Sequence, residues 1–417
     1  MLANQHPPSD LARFAAPDSH SSQNDSAILH EAGRLILGAI YLPGKMRDLE
    51  QMKISRIQIA ECPLPLPHTL RLGPIEIQTR DYIAVRIWTD AGVFGEAIGY
   101  PRGTPLFETM QSMARKIIGG NATLRRQLTF NLEQANVPGR AALTRGLSLV
   151  DIALWDITAK NAGQPLYQLL GGLRKNVEAT VVAGYYMDRR SISDVCDEVG
   201  LLAANGFRRM KIMLRGDDPV FDRKYISAVT AKLPGQVAAD AHWSWRTLTE
   251  AKRLCRELDG LGLNFLEDPF SAWDSKLTRE LQRQLKTPIA AGEDVFGAGA
   301  MSDMVHAVDI LRVDATTCGG ITGAIEAINL AAGAGKTVLP HVFAPLHVHL
   351  ACTFPNVEGV ELIPEGSGAD PVGKLLLRFP EVRDGHVIVS EEPGVGIALN
   401  WPAIEASASR TADVPAK

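Results

Sequence analysis

Three carboxylates, Asp240, Glu267 and Glu293, each stand just beyond a short β-like run in successive parts of the chain. Hard oxygen ligands of this kind suit Mg²⁺, which takes a few carboxylates and leaves its other positions to water and substrate oxygens. Zinc would call for more His or Cys. The cofactor this set points to is one Mg²⁺ per chain. Its task would be to take up negative charge on a substrate carboxylate as the adjacent proton leaves. Lys211, Asp314, His341 and Glu361 occupy the same kind of position at or near the end of other β-like runs. A buried strand has no packing reason to end in a charge. A single Asp there is ordinarily a helix cap or a turn residue. Seven in successive units indicate one shared site.

The elements that must position these residues can be read from the rhythm of the chain. Runs Val177–Val182, Arg209–Ile212, Gln236–Ala239, Asn264–Leu266, Thr287–Ala290, Ile310–Val313, Thr337–Leu339 and Gly359–Leu362 alternate with helical stretches. Such alternation implies parallel strands, and eight units predict a (β/α)8 barrel whose C-terminal strand ends share one mouth. An open doubly wound sheet is the competitor, but no G-x-G-x-x-G follows the first strand. From Met52 to Gly99 the pattern is β-like, with a hairpin signal at Thr89-Asp90-Ala91-Gly92. Residues 104–170 read as helical. Leu147, Val150, Ala153, Leu154 and Ile157 form an apolar stripe there, with Asp151 and Asp156 off it. The fold class is therefore α/β, with an α+β domain over residues 52–170 and a barrel over 171–385.

Residues 1–51 are rich in Ser, Pro, Asp, Asn and Gln, too polar to offset their ordering entropy, and read as a disordered extension or as sequence upstream of the true start. The chain has 417 residues, 46% hydrophobic and 22% charged, with a net charge of −4. It carries no basic stripe for nucleic acid and no polybasic membrane patch. The apolar run Leu35–Leu42 is too short to span a bilayer. Cys62, Cys196, Cys255, Cys318 and Cys352 are scattered without a C-x-x-C pair, which fits thiols in a reducing cytoplasm.

Several segments together resemble the enolase superfamily, in its mandelate racemase subgroup. They are Gly206 to Lys211, Ala239-Asp240-Ala241-His242, Phe265-Leu266-Glu267-Asp268-Pro269, Ala291-Gly292-Glu293-Asp294, Val313 to Gly323, and Pro340-His341. The resemblance covers about residues 52–404. It implies a capping α+β domain over the barrel mouth, with residues 386–417 returning to the cap. It implies Asp240, Glu267 and Glu293 as metal ligands, His341 as catalytic base and Asp314 as the acid that orients its imidazole. Glu361 matches a residue that hydrogen-bonds the substrate carboxylate. A homo-oligomer is expected.

Two departures from the racemase pattern narrow the chemistry. Racemases of this group carry Lys-x-Lys at the second barrel strand, the second lysine serving as a base on the opposite face; here the segment is Lys211-Ile212-Met213. Lys211 is left to contact the carboxylate, and Met213 cannot accept a proton. His242, two residues past Asp240, matches the general acid of sugar-acid dehydratases such as galactonate dehydratase. The expectation is removal of water from an acid sugar, an aldonate or aldarate, giving a 2-keto-3-deoxy acid. Two alternatives stand beside it: a racemase or epimerase with Tyr185 or Lys211 as second base, and a metal-binding relative without catalysis. Substrate contacts are expected from a cap loop Pro65–Glu76, from Tyr100 and Arg102, and from Tyr185 and Tyr186 after the first barrel strand. Arg71 and Arg102 could meet a second carboxylate in a diacid or equally be ordinary surface charges.

Overall fold

The computed structural model describes residues 52–134 and 140–416. The expectations placed on residues 1–51, including Leu35–Leu42, lie outside them. Strands β1 (Ile54–Leu72) and β2 (Ile75–Thr89) run antiparallel, and β3 (Phe94–Gly99) pairs with β2. The turn between β2 and β3 falls at the Asp90–Gly92 signal, with Thr89 N donating to Val93 O at 2.9 Å. The expected loop Pro65–Glu76 is instead the end of a long hairpin, with a register shift between Pro65 and Leu70. Its tip is Gly73, at φ +52, where a Cβ would meet the His242 carbonyl at 2.5 Å. Glycine lets the hairpin lie directly on the barrel rim.

Helices α1 (Leu106–Ile117), α2 (Arg125–Glu133) and α3 (Arg140–Ala162) follow; α1 and α3 pack on this sheet, and α2 packs on both of those helices. Helix α3 differs from its amphipathic reading. Asp151 and Asp156 are buried along with the apolar stripe, because α3 is sandwiched between β3 and the barrel helix Gly320–Gly333. Thr322 N and Oγ1 donate to Asp151 at 2.9 and 2.7 Å. Backbone N–H groups of Glu96 and Val395 donate to Asp156 at 3.0 and 2.9 Å.

The eight expected barrel strands are present: β4 (Asn176–Ala183), β5 (Arg209–Met213), β6 (Val237–Asp240), β7 (Leu266–Glu267), β8 (Ile289–Ala291), β9 (Ile310–Val313), β10 (Thr337–Pro340) and β11 (Val360–Leu362). Neighbours from β4 to β10 pair in parallel, and β11 pairs with β4. The ring closes where Val338 exchanges backbone hydrogen bonds with Asn356 and Glu358, at 2.8 and 2.9 Å. Inside it, Ala238, Phe265 and Ile310 form an apolar layer with Ala290 and Leu339. Two positions further along their strands come Asp240, Glu267 and Arg312. The two-residue period thus stacks a charged layer on an apolar floor.

The chain end divides differently from the expected boundary at residue 386. His386–Ile388 pairs antiparallel with β4, on the barrel. The return to the cap is made by Trp401–Ser407 and by Arg410–Pro415, which pairs with β1. The five cysteines are free. Among the described residues, no helix is long and apolar enough to cross a membrane.

Candidate active site

The barrel interior forces its charged side chains into direct contact. Lys211, projecting from β5, places Nζ 3.0 Å from Asp240 Oδ2, 3.0 Å from Glu267 Oε2 and 2.5 Å from Glu361 Oε1. Burial opposes its charge, but Asp240, Glu267 and Glu361 outweigh that and hold the ammonium well above its usual range. Arg312 was not singled out from the sequence, although it lies two positions before Asp314 on β9. Fully buried, it donates to Glu267 Oε1 at 2.9 Å and to Glu361. An arginine inside a β-branched run was the signal available.

The carboxylates outnumber what these cations satisfy. Glu267 Oε2 lies near Lys211 without hydrogen-bond alignment and remains a buried acceptor with no hydrogen bond. Burial pushes the Glu267 carboxyl above its usual range, against the lowering effect of Arg312 and Lys211. Ligand oxygens of Glu267, Asp268 and Glu293 lie within 4.8 Å of one another. Asp268 is thus an addition to the sequence-derived set. Its Oδ2 accepts the Trp243 indole N–H at 2.9 Å, and burial beside Glu293 and Glu267 raises its carboxyl well above the usual range. Asp240 stands on the adjacent strand and shares Lys211 with Glu267. An all-oxygen, buried and under-neutralised donor set fits Mg²⁺.

On the other side of the mouth, His341 Nδ1 is 3.0 Å from Asp314 Oδ2, while Thr316 N and Oγ1 hold Asp314 Oδ1 at 2.7 and 2.8 Å. Burial works against the Asp314 charge, but the His341 hydrogen bond prevails and lowers its carboxyl to about 2. A carboxylate so held fixes a proton on Nδ1 and leaves Nε2 facing outward. Nε2 is 3.3 Å from both Glu293 Oε2 and Arg102 Nη2. Arg102 also bridges Glu293 and Asp294 at 3.0 and 2.7 Å.

His242 stands beyond β6, which ends at Asp240, so its position comes from a turn and not from strand alternation. At φ +45 its backbone N donates to Asp240 Oδ1 at 3.0 Å. Its Nδ1 lies 2.8 Å from the same oxygen but off the hydrogen-bonding direction. Arg102, His242, Trp243 and Val342 all have positive φ and all line one cavity. Such backbone strain clusters where a site demands it.

That cavity, about 580 Å³, lies between the hairpin tip and the barrel mouth. Its wall includes Lys211, Asp240, His242, His341 and Glu361, along with Tyr100, Arg102 and Tyr185 from the expected substrate contacts. Met213 is also on it. Glu267 and Glu293 are buried behind this wall. Arg71 is elsewhere, exposed at the hairpin and paired with Glu76 at 3.0 Å. Trp273 and Phe296, unmarked in the sequence, stack edge to face at the rim.

Residues 55–171 match the mandelate racemase / muconate lactonizing enzyme N-terminal domain, and residues 194–403 match the enolase C-terminal domain-like family. The chain is similar to arabinonate dehydratase of Saccharolobus solfataricus, 27% identical over 347 residues, 80% of this chain and 89% of that protein. It is also similar to L-Ala-D/L-Glu epimerase of Clostridium acetobutylicum, 25% identical over 371 residues, 83% and 99% of the two chains. Among solved structures, L-talarate dehydratase from Polaromonas sp. JS666, complexed with Mg and L-glucarate, superimposes with a TM-score of 0.77 at 27% identity, covering 88% of this chain and 99% of that one.

Proposed function

Because this chain belongs to the enolase superfamily, in its mandelate racemase / muconate lactonizing enzyme group, we propose that it is a Mg²⁺-dependent lyase that removes water from an acid sugar. One observation carries the reading. The cavity has a His–Asp pair, Asp314–His341, on one side, and among the described residues no lysine base opposes it, His242 being the other imidazole on the wall. Met213 stands where the opposite lysine would be. Lys211 is held as a cation among three carboxylates, and burial raises the Tyr185 phenol far above the range in which it could act as a base.

Mg²⁺ held by Asp240, Glu267 and Glu293, with Asp268 adjacent, would supply positive charge against the charge that builds on the substrate carboxylate. Lys211 would meet the same carboxylate from the side of Glu361. His341 Nε2 would remove the proton next to it while Asp314 stabilises the resulting imidazolium. His242, across the cavity, would give its proton to the departing β-hydroxyl, which leaves as water. The enol so formed takes a proton on carbon and becomes the 2-keto-3-deoxy acid. The dehydratase relatives and the Mg- and L-glucarate-bound neighbour support this assignment of reaction and substrate class.

The epimerase relative favours a second reading, 1,1-proton transfer. A panel of hexonic and hexaric acids incubated with Mg²⁺ in deuterium oxide separates the two. Keto-acid product is expected. Recovered substrate that is inverted and deuterated, with no keto acid formed, would favour the epimerase.

A further inference from the structure

Four side chains bring permanent positive charge to the cavity wall: Arg80, Arg102, Arg145 and Lys211. Three are spoken for. Arg102 pairs with Glu293 and Asp294, Arg145 pairs with Asp294, and Lys211 pairs with Asp240, Glu267 and Glu361. Among the described residues Arg80 forms no ion pair. Its Nε donates to the Ala369 carbonyl at 3.0 Å, and its guanidinium lies 5.6 Å from the Tyr100 ring centroid. That single anchor fixes the direction of the fork and leaves its terminal amino groups available.

The acids near Arg80 accept hydrogen bonds from other groups, and Asp370 favours the Arg80 charge from beyond ion-pair distance. Asp370 accepts the Tyr82 hydroxyl at one oxygen and the Tyr100 hydroxyl, at 2.7 Å, at the other. Glu76 pairs with Arg71, and Asp81 accepts the Thr79 hydroxyl at 2.9 Å. Arg80 belongs to β2 of the cap, whereas Lys211 rises from the barrel floor. Tyr185 lines the same wall and feels both charges. A substrate with one carboxylate at Lys211 and the metal ligands would therefore extend towards Arg80 at its far end.

We propose that Arg80 reads a second, distal carboxylate, so that the preferred substrates are acid sugars with a carboxylate at each end. This inference rests on the dehydratase reading. A planar fork with two free amino groups matches a carboxylate in a way that a terminal hydroxymethyl group cannot reproduce. A guanidinium with no carboxylate in ion-pair contact also favours the diacid over a monoacid, because only the former supplies that contact.

The test pairs hexaric and hexonic acids of matching configuration, D-glucarate with D-gluconate and galactarate with D-galactonate, assayed with Mg²⁺ for 2-keto-3-deoxy product. The wild-type protein is expected to prefer the diacid of a pair. In Arg80→Met the ratio of kcat/KM for diacid over monoacid should fall by about 100-fold, with Arg80→Lys intermediate. If Arg80 only braces the hairpin through Ala369, both substrates will lose equally and the ratio will stay put, which overturns the proposal. A wild-type preference for the monoacid overturns it as well. Absence of keto acid from every acid sugar would instead sink the dehydratase reading, and the Arg80 assignment with it.

Discussion

Two groups of buried carboxylates sit in this molecule and are neutralised in different ways. At the cap–barrel seam, Asp151, Asp156 and Glu96 have a donor on each oxygen. Glu96 accepts Trp401 Nε1 at 2.8 Å and Leu399 N at 3.0 Å; Asp156 accepts two backbone N–H groups and Lys160 Nζ at 2.5 Å. Four of these donors are backbone N–H groups, fixed once the fold forms, and side chains complete the set, among them Arg86, whose Nε donates to Glu96 Oε1 at 2.8 Å. At the barrel mouth, Asp240, Glu267 and Glu293 lean on side-chain cations, Asp268 accepts the Trp243 indole N–H, and Glu267 Oε2 has no hydrogen bond. The first arrangement ties α3 to the barrel helix and to the C-terminal segment. The second leaves a deficit of positive charge directly behind the cavity wall. Burial alone therefore does not mark a functional acid; the kind of partner does.

The largest effect is expected at the base. His341→Asn should lower kcat for keto-acid formation by about 10⁴-fold while the protein keeps its thermal stabilisation by Mg²⁺; unchanged turnover would remove His341 from the mechanism. Glu267→Gln should cost about 10³-fold in activity and abolish the Mg²⁺-dependent rise in Tm. A variant that still responds to Mg²⁺ would show that this carboxylate is not a ligand. His242→Asn should slow dehydration by about 100-fold, measured under saturating substrate, and a loss no greater than that of a surface substitution would end its role as acid.

The seam acids should respond in stability and not in chemistry. Asp156→Ala strands two backbone N–H groups and Lys160, and should destabilise by about 2 kcal/mol in chemical denaturation, with kcat per folded molecule unchanged. A loss of Mg²⁺ affinity in that variant would erase the distinction between the two groups. The smallest effect concerns pH. Burial raises the Asp151 carboxyl to about 6, against Thr322 donors that lower it. Its folded value is thus above the unfolded one, so its buried charge is unfavourable above pH 6 and the penalty disappears as pH falls. Between pH 8 and pH 5 the stability gap between wild type and Asp151→Asn should shift in favour of wild type by about 1 kcal/mol.

These acids also show how far the sequence can be read. A charge at the end of a β-branched run is a local signal, because a parallel strand offers such a residue no packing reason to be there. Lys211, Asp240, Glu267, Asp314, His341 and Glu361 could be picked out on that ground, and the eight strands with them. Asp151 and Asp156 could not: helical periodicity places them opposite the apolar stripe, and only a second packed face turns that side inward. His242 could be marked by its distance from Asp240, but the strand stops before it, and the turn that aims it requires positive φ.

The barrel strands and the charged residues at their ends, Asp314 and His341 among them, were legible in the sequence. Strand period and residue chemistry are local properties, and they survive without knowledge of neighbours. Only the tertiary structure decided which arginine is available to a ligand. Arg71, Arg80 and Arg102 are alike in composition terms, yet one pairs across an exposed hairpin, one is drawn into the acids of the mouth, and one is left with open amino groups on the cavity wall. That outcome depends on which distant carboxylates the fold brings within reach. Asp294 is nearly two hundred residues from Arg102, and no local pattern encodes that contact.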